Sequence, residues 1–196
     1  MLADVLGENG HAAPDLATVH GMIGDGARVL IERAVARIGA ELDVDALNDR
    51  FRQRYAEVPC RHSVPYPGAT ALLRELRAAG MRLGLCTNKP QAATLGLLEA
   101  LGLMDAFDAV IGGDLIKGVR KPDPAHLRAV LAALEAPGSS AVMVGDSRND
   151  LLAARGAAIP CVLVSFGYTA VPARELGADA VIDRLDQLPA LLESVS

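Results

Sequence analysis

An α/β fold is predicted for this chain: a doubly wound parallel sheet over residues 65–196, preceded by a small helical part over residues 1–64. Three observations predict it. After Gly68, short apolar runs alternate with longer segments of helical period. The short runs lack polar–apolar alternation, as strands buried on both faces do. Up to Pro59, by contrast, only helical period is present. Regular strand–helix alternation with right-handed crossovers places helices on both faces of a parallel sheet. The site of such a sheet lies at the carboxyl ends of its strands.

Each element has its own signal. Leu2, Val5 and Leu6 begin a short helix that Gly7 and Gly10 end. Asp25 is placed to cap a helix with the apolar face Val29, Leu30, Ala34, Val35 and Ile38, and Gly39 stops it. Asp45 is placed to cap another, along which Leu47, Phe51, Tyr55 and Val58 recur about once per turn. Pro59, Pro65 and Pro67 break the chain and mark a hinge or linker. Helices are then expected at Ala69–Ala79, Gln91–Leu101, Pro124–Leu134 (proline at its start), Asn149–Arg155 and Leu185–Leu192. The strands between them are Arg82–Cys86, Ala109–Ile111, Ala141–Val144, Cys161–Ser165 and Ala180–Ile182.

Composition narrows the function. Of 196 residues, 51% are apolar but only 3% aromatic, so the core is built from Ala, Leu and Val. A net charge of −5 without a basic run argues against nucleic acid as a partner. Cys60, Cys86 and Cys161 are far apart and odd in number, which suits free thiols in a reducing compartment. No apolar run approaches the roughly 20 residues of a membrane span. Met1-Leu2-Ala3-Asp4 lacks the regions of a signal peptide. The expectation is a cytoplasmic protein with no membrane partner.

Three motifs carry chemistry. Thr87 follows a strand, where its hydroxyl and the next N–H groups can donate to phosphoryl oxygens. Lys121 is one of three lysines in the chain, and Pro122 after it holds it extended, so its ammonium could neutralise phosphate and carboxylate together. Asp146 and Asp150 stand one helical turn apart just past a strand, and a pair of hard oxygen ligands suits Mg²⁺. Taken singly, each residue is equally a turn threonine, a loop cation or a helix cap.

Together, Thr87-Asn88-Lys89, Lys121-Pro122-Asp123-Pro124 and Gly145-Asp146-x-x-x-Asp150 resemble the second, third and fourth motifs of haloacid-dehalogenase-like phosphatases, in order. Pro65-Tyr66-Pro67-Gly68, Ile111-Gly112-Gly113-Asp114, Ser165-Phe166-Gly167-Tyr168 and Gly21–Ala27 extend the resemblance, which is nearest to bacterial phosphoglycolate phosphatases. It implies hydrolysis of a small phosphorylated metabolite, 2-phosphoglycolate, through an aspartyl-phosphate, with a second aspartate as general acid and base. It implies catalytic roles for Thr87, Asn88 and Lys121, Mg²⁺ on Asp146 with Asp150 beside it, and Gly113 at the substrate. The helices before Pro59 become a mobile cap that excludes water. Arg28, beside the Gly24–Gly26 turn, is expected to face the substrate carboxylate.

One part of that pattern has no counterpart. The family carries its nucleophile in a first strand, Asp-x-Asp-Gly-Thr, ahead of the cap. The only Asp-x-Asp here is Asp43-Val44-Asp45, a helix start with no apolar strand before it, and Asp25 lacks a strand as well. The nucleophile and the acid–base role are therefore assigned to no residue. In the family this strand is central, between those ending at Cys86 and Val144. Without it, these neighbours are expected roughly 9–10 Å apart, two strand spacings. The segment is expected upstream of Met1, and the 196 residues alone are expected to hydrolyse negligibly. Two other readings stand beside the phosphatase: an inactive phosphate-binding protein of this fold, and another branch of it, a phosphosugar mutase or a dehalogenase. Paired acidic residues favour the Mg²⁺-dependent branches over dehalogenases.

Overall fold

Residues 1–57 form four helices with a core of their own. The computed structural model describes residues 1–57, 63–169 and 171–195, the side chains of Ser139 and 193–195 apart. Val58, Pro59 and Cys60 lie outside the described residues. Helices α1 (Leu2–Glu8), α2 (Leu16–His20), α3 (Ala27–Ile38) and α4 (Val44–Glu57) enclose Leu2, Val5, Leu6, Met22, Ile31, Ala34, Val35 and Leu47. Arg50 and Arg54 of α4 both reach Glu8 of α1.

The caps differ from expectation. Gly26, not Asp25, stands at the start of α3, with no side-chain cap bond. The Asp25 carboxylate is spent instead on Arg33 and Asn149. Asp43, not Asp45, caps α4: its Oδ1 accepts from the N–H of Asp45 and Ala46. Ile31 replaces Val29 on the buried face of α3, one side chain fully enclosed and the other half-buried. Gly39 ends α3 in the left-handed conformation, as expected.

Beyond residue 63 the order is α5 (Ala69–Ala78), β1 (Gly84–Cys86), α6 (Gln91–Ala100), β2 (Ala109–Ile111), α7 (Pro124–Ala133), β3 (Met143–Gly145), α8 (Arg148–Ala157), β4 (Cys161–Val164), β5 (Ala180–Ile182) and α9 (Leu188–Val195). All pairings are parallel, with Leu85 opposite Val110, Val144 opposite Val162, and Leu163 opposite Val181. The strand β4 is buried along its length, as an unalternating apolar run requires. Among the described residues no helix is long and apolar enough to cross a membrane.

The sheet is in two pieces, β1–β2 and β3–β4–β5. It divides where the family resemblance implies a central strand. Hydrogen bonding fixes the facing edges. The Thr87 N–H and the Leu83 carbonyl both pair toward β2, so Gly84 and Cys86 turn their backbone groups the other way. Met143 donates to Pro160 beside β4, so Val142 and Val144 turn theirs toward β1. Val144 is 37% exposed, unusual for an apolar residue in a parallel strand. Helices hold the pieces in register. Leu72 and Leu76 of α5 pack in one cluster with Leu83 and Val142, and Val130 of α7 in another with Cys86 and Met143. Both thiols described, Cys86 and Cys161, are free and buried.

Candidate active site

The carboxyl ends of β1 and β3 open into a cavity of about 590 Å³. Thr87, Asn88, Lys89, Lys121, Asp146, Ser147 and Asp150 form its floor, and Ile23, Leu30, Phe51 and Tyr55 are on its helical side. Sequence-distant motifs therefore meet at one place, as strand ends in a parallel sheet do.

Lys121 is the link between them. Its Nζ donates to the Cys86 carbonyl at 2.6 Å and to Asp150 Oδ1 at 2.6 Å. One ammonium thus bridges the two pieces of the sheet. Its third N–H is left for a ligand in the cavity. The Lys121 and Asp150 side chains are 12% and 4% exposed, so the pair is poorly screened. Burial alone would raise the Asp150 pKa; Lys121, the Ser147 hydroxyl and the Asp146 N–H outweigh it and hold the carboxyl below the ordinary range.

His126 fixes the Lys121 backbone. Its ring is fully buried, Nδ1 accepts from the Lys121 N–H at 3.2 Å, and Nε2 lies 3.2 Å from the Gly112 carbonyl. That pairing requires a neutral ring with the proton on Nε2. Burial, chiefly, holds its pKa down.

Thr87 Oγ1 accepts from the Lys89 N–H at 3.1 Å, which leaves the hydroxyl hydrogen to donate into the cavity. Both Asn88 amide N–H groups are used: Nδ2 donates to the Gly24 carbonyl at 2.9 Å and to the Lys121 carbonyl at 2.8 Å. Asn88 therefore ties the Gly24–Gly26 turn to the Lys121 loop. Its Oδ1 is buried without a partner among the described residues.

Asp146 and Asp150, predicted as a matched pair, have different surroundings. Both Asp150 oxygens are committed, Oδ1 to Lys121 and Oδ2 to Ser147 Oγ (2.6 Å) and the N–H groups of Ser147 (3.0 Å) and Asp146 (3.2 Å). Asp146 Oδ2 accepts one bond, from the Tyr168 N–H at 2.9 Å. Burial, then the neighbouring Asp150 charge, raises the Asp146 pKa although that bond lowers it. Gly167 makes the arrangement possible, since a Cβ there would stand 2.1 Å from Asp146 Cβ. Among the described residues no group of three or more potential metal-ligating side chains is assembled. The donor set nonetheless fits a hard cation that keeps most of its waters: one buried carboxylate with an open oxygen, next to a site for anions.

Two expected residues stand elsewhere. Arg28 does not line the cavity; its guanidinium is exposed and paired with Glu32 and Asp45. Gly113 also lies outside the lining, packed so closely on Asn88 that a Cβ would come within 2.4 Å of its carbonyl oxygen. It shapes the Asn88 loop from behind. Conversely, Tyr55 was legible only as part of an apolar helix face. Its hydroxyl accepts from Lys89 Nζ at 2.5 Å, and its ring lies 3.8 Å from that nitrogen. Four-residue spacing placed it on the right helix; nothing in the sequence said which side would meet Lys89.

Comparison with known proteins decides the family. The haloacid dehalogenase-like hydrolase family matches residues 3–158. This chain belongs to the haloacid dehalogenase-like hydrolases. It is 44% identical over 189 residues to a phosphoglycolate phosphatase of Rhodospirillum rubrum, covering 93% of this chain and 78% of that one. It is 46% identical over 171 residues to a phosphoglycolate phosphatase of Caulobacter vibrioides, covering 86% and 72%. A predicted phosphoglycolate phosphatase from Haemophilus somnus superposes with a TM-score of 0.89 at 26% identity, covering 97% of this chain and 88% of that one. CbbY from Rhodobacter sphaeroides, solved with phosphate, gives 0.78 at 25% identity, covering 95% and 86%. As a haloacid dehalogenase-like hydrolase, the chain has its Thr87, Lys121 and Asp146 motifs gathered on one cavity. Of the two carboxylates lining that cavity, Asp150 has both oxygens committed and Asp146, with one oxygen bonded to the Tyr168 N–H, keeps the other open.

Proposed function

We propose that this protein is a cytoplasmic, Mg²⁺-dependent phosphomonoester hydrolase acting on 2-phosphoglycolate. The observation that carries the reading is the Lys121 ammonium, held between Cys86 and Asp150 with an N–H to spare, at a cavity that Thr87 and Asp146 share. The relatives named phosphoglycolate phosphatase support the substrate.

In this reading the Thr87 hydroxyl and the free Lys121 N–H hold phosphoryl oxygens. Asn88 and His126 position Lys121 by its carbonyl and its N–H. Asp146 would hold Mg²⁺, with Asp150 fixing the loop rather than donating to the ion. Bound there, the ion would neutralise phosphoryl charge. Residues 1–64 act as the cap and 65–196 as the core; the separate apolar clusters of the two parts support that division. The apolar helical side of the cavity would keep water from the phosphoryl group.

A second reading is favoured by one observation: among the described lining residues the carboxylates are Asp150, which is saturated, and Asp146, whose open oxygen the cation would take. It is a protein that binds phosphomonoesters without cleaving them. Phosphorus NMR of the chain, and of a form extended upstream of Met1, with 2-phosphoglycolate and Mg²⁺ separates the two. Release of phosphate that Thr87→Val or Asp146→Asn abolishes supports the hydrolase. Bound ester that neither form cleaves selects the binding protein, and a spectrum without binding overturns both.

A further inference from the structure

Three cations line the cavity, and they differ in what neutralises them. Lys121 faces Asp150 and Arg52 faces Asp114. Lys89 has no carboxylate partner among the described residues; its ammonium meets only the hydroxyl and ring of Tyr55. Lys89 is half-buried, so its ammonium stands in a partly dehydrated wall. A tyrosine face stabilises such a charge but does not neutralise it.

We infer that Lys89 and Tyr55 together form a subsite for a single carboxylate, and so select phosphorylated small acids over other phosphomonoesters. This deepens the proposed function and rests on the phosphate site at Thr87 and Lys121. Lys89 spends one N–H on Tyr55 and retains two, and the Tyr55 O–H remains free to donate. A carboxylate would thus meet an ammonium and a hydroxyl side by side. One uncompensated positive charge matches one carboxylate, whereas a second phosphoryl group would bring about two negative charges. The subsite is close to the phosphate position, since Lys89 is two residues from Thr87 and its N–H binds Thr87 Oγ1. The Ile23, Leu30 and Phe51 side chains in the surrounding wall offer no hydrogen bonds to sugar hydroxyls. Short acids with a carboxylate near the phosphoryl group fit this arrangement.

The test is calorimetric binding of 2-phosphoglycolate, ethyl phosphate and inorganic phosphate to the 196-residue chain and its variants. The chain is expected to prefer 2-phosphoglycolate over ethyl phosphate by about tenfold or more, the usual weight of a charged hydrogen bond. Lys89→Met should bring that ratio close to one, Lys89→Arg should restore most of it, and Tyr55→Phe should reduce it by a smaller factor. Phosphate binding without any preference for 2-phosphoglycolate would overturn the subsite and leave the phosphate site standing. So would a preference that survives Lys89→Met. Failure to bind any of the three would overturn the phosphate site and this inference with it. Thermal melts of each variant show that the fold is intact, since Lys89 lies outside all three apolar clusters.

Discussion

The two pieces of the sheet present opposite chemistry at their carboxyl ends. β1–β2 leads into Thr87, Asn88 and Lys89, a run of donors. β3–β4–β5 leads into Asp146, Ser147 and Asp150, where carboxylate oxygens prevail. Anion holding and cation holding thus reside on separate pieces, and the side chain that touches both is Lys121, through Cys86 on one side and Asp150 on the other. The difference teaches that site and fold share a joint: what neutralises the phosphoryl group also ties the pieces together.

Breaking that joint should have the largest effect. Lys121→Met leaves Asp150 buried without its counter-ion and Cys86 without a donor, and is expected to cost about 3–5 kcal/mol in urea unfolding. The pH dependence of the pair has a definite sign. Asp150 is held below its ordinary 3.8, so its contribution is complete above that value and is lost as pH falls through the lower folded value. Wild-type stability should therefore drop steeply below 3.8, and Lys121→Met should flatten that drop. An equally steep drop in the variant would mean that Lys121 does not hold Asp150 ionised.

His126→Leu attacks the joint from behind. It strips the Lys121 N–H of its partner, while the Gly112 carbonyl still accepts from the Leu115 N–H, and a buried unsatisfied group costs about 1–3 kcal/mol. Denaturation should show a loss of that order, with phosphate affinity falling as Lys121 loses its position. Asp146→Asn should act in the other direction. The Asp146 pKa is raised, so its stabilising share exists below 3.8 and is lost as pH rises through the folded value. At neutral pH the ionised group is a cost, and the amide, which still accepts from Tyr168, should raise the melting temperature. Mg²⁺ should raise that temperature in wild type by selective binding and leave Asp146→Asn unmoved. The smallest effect is expected of Arg28→Ala, whose partners are exposed: unchanged stability and unchanged 2-phosphoglycolate affinity by calorimetry.

Much of this was legible in the sequence, for local reasons. Pro124 starts α7 as expected, because a first-turn proline acts locally, and Asp123 caps it. The five strands were placed by apolar runs: β2 and β5 have the expected bounds, and β1, β3 and β4 are shorter by one or two residues. The helix α2 was missed because five residues with no buried side chain leave no periodic trace. Asp43 and Asp45 both suit a cap, and only backbone geometry chooses between them. The site residues were legible as strand ends, but their division of labour was not. Spacing alone made Asp146 and Asp150 equal ligands. The partner that commits Asp150 is Lys121, 29 residues away, and the close approach at Gly167 that holds Asp146 comes from the loop after β4. Arg28 was placed at the ligand by its neighbouring glycine turn, yet the helix face it occupies points it to Glu32 and Asp45.

The claim underlying all of this is that donors from one piece of the sheet and acceptors from the other serve one ligand. A crystal structure of the chain grown with Mg²⁺ and phosphate tests it most directly. The account predicts phosphate within hydrogen-bonding distance of both Thr87 Oγ1 and Lys121 Nζ, with the cation on Asp146. Phosphate bound away from these groups, or a cation on Asp150 with Lys121 displaced, would contradict it.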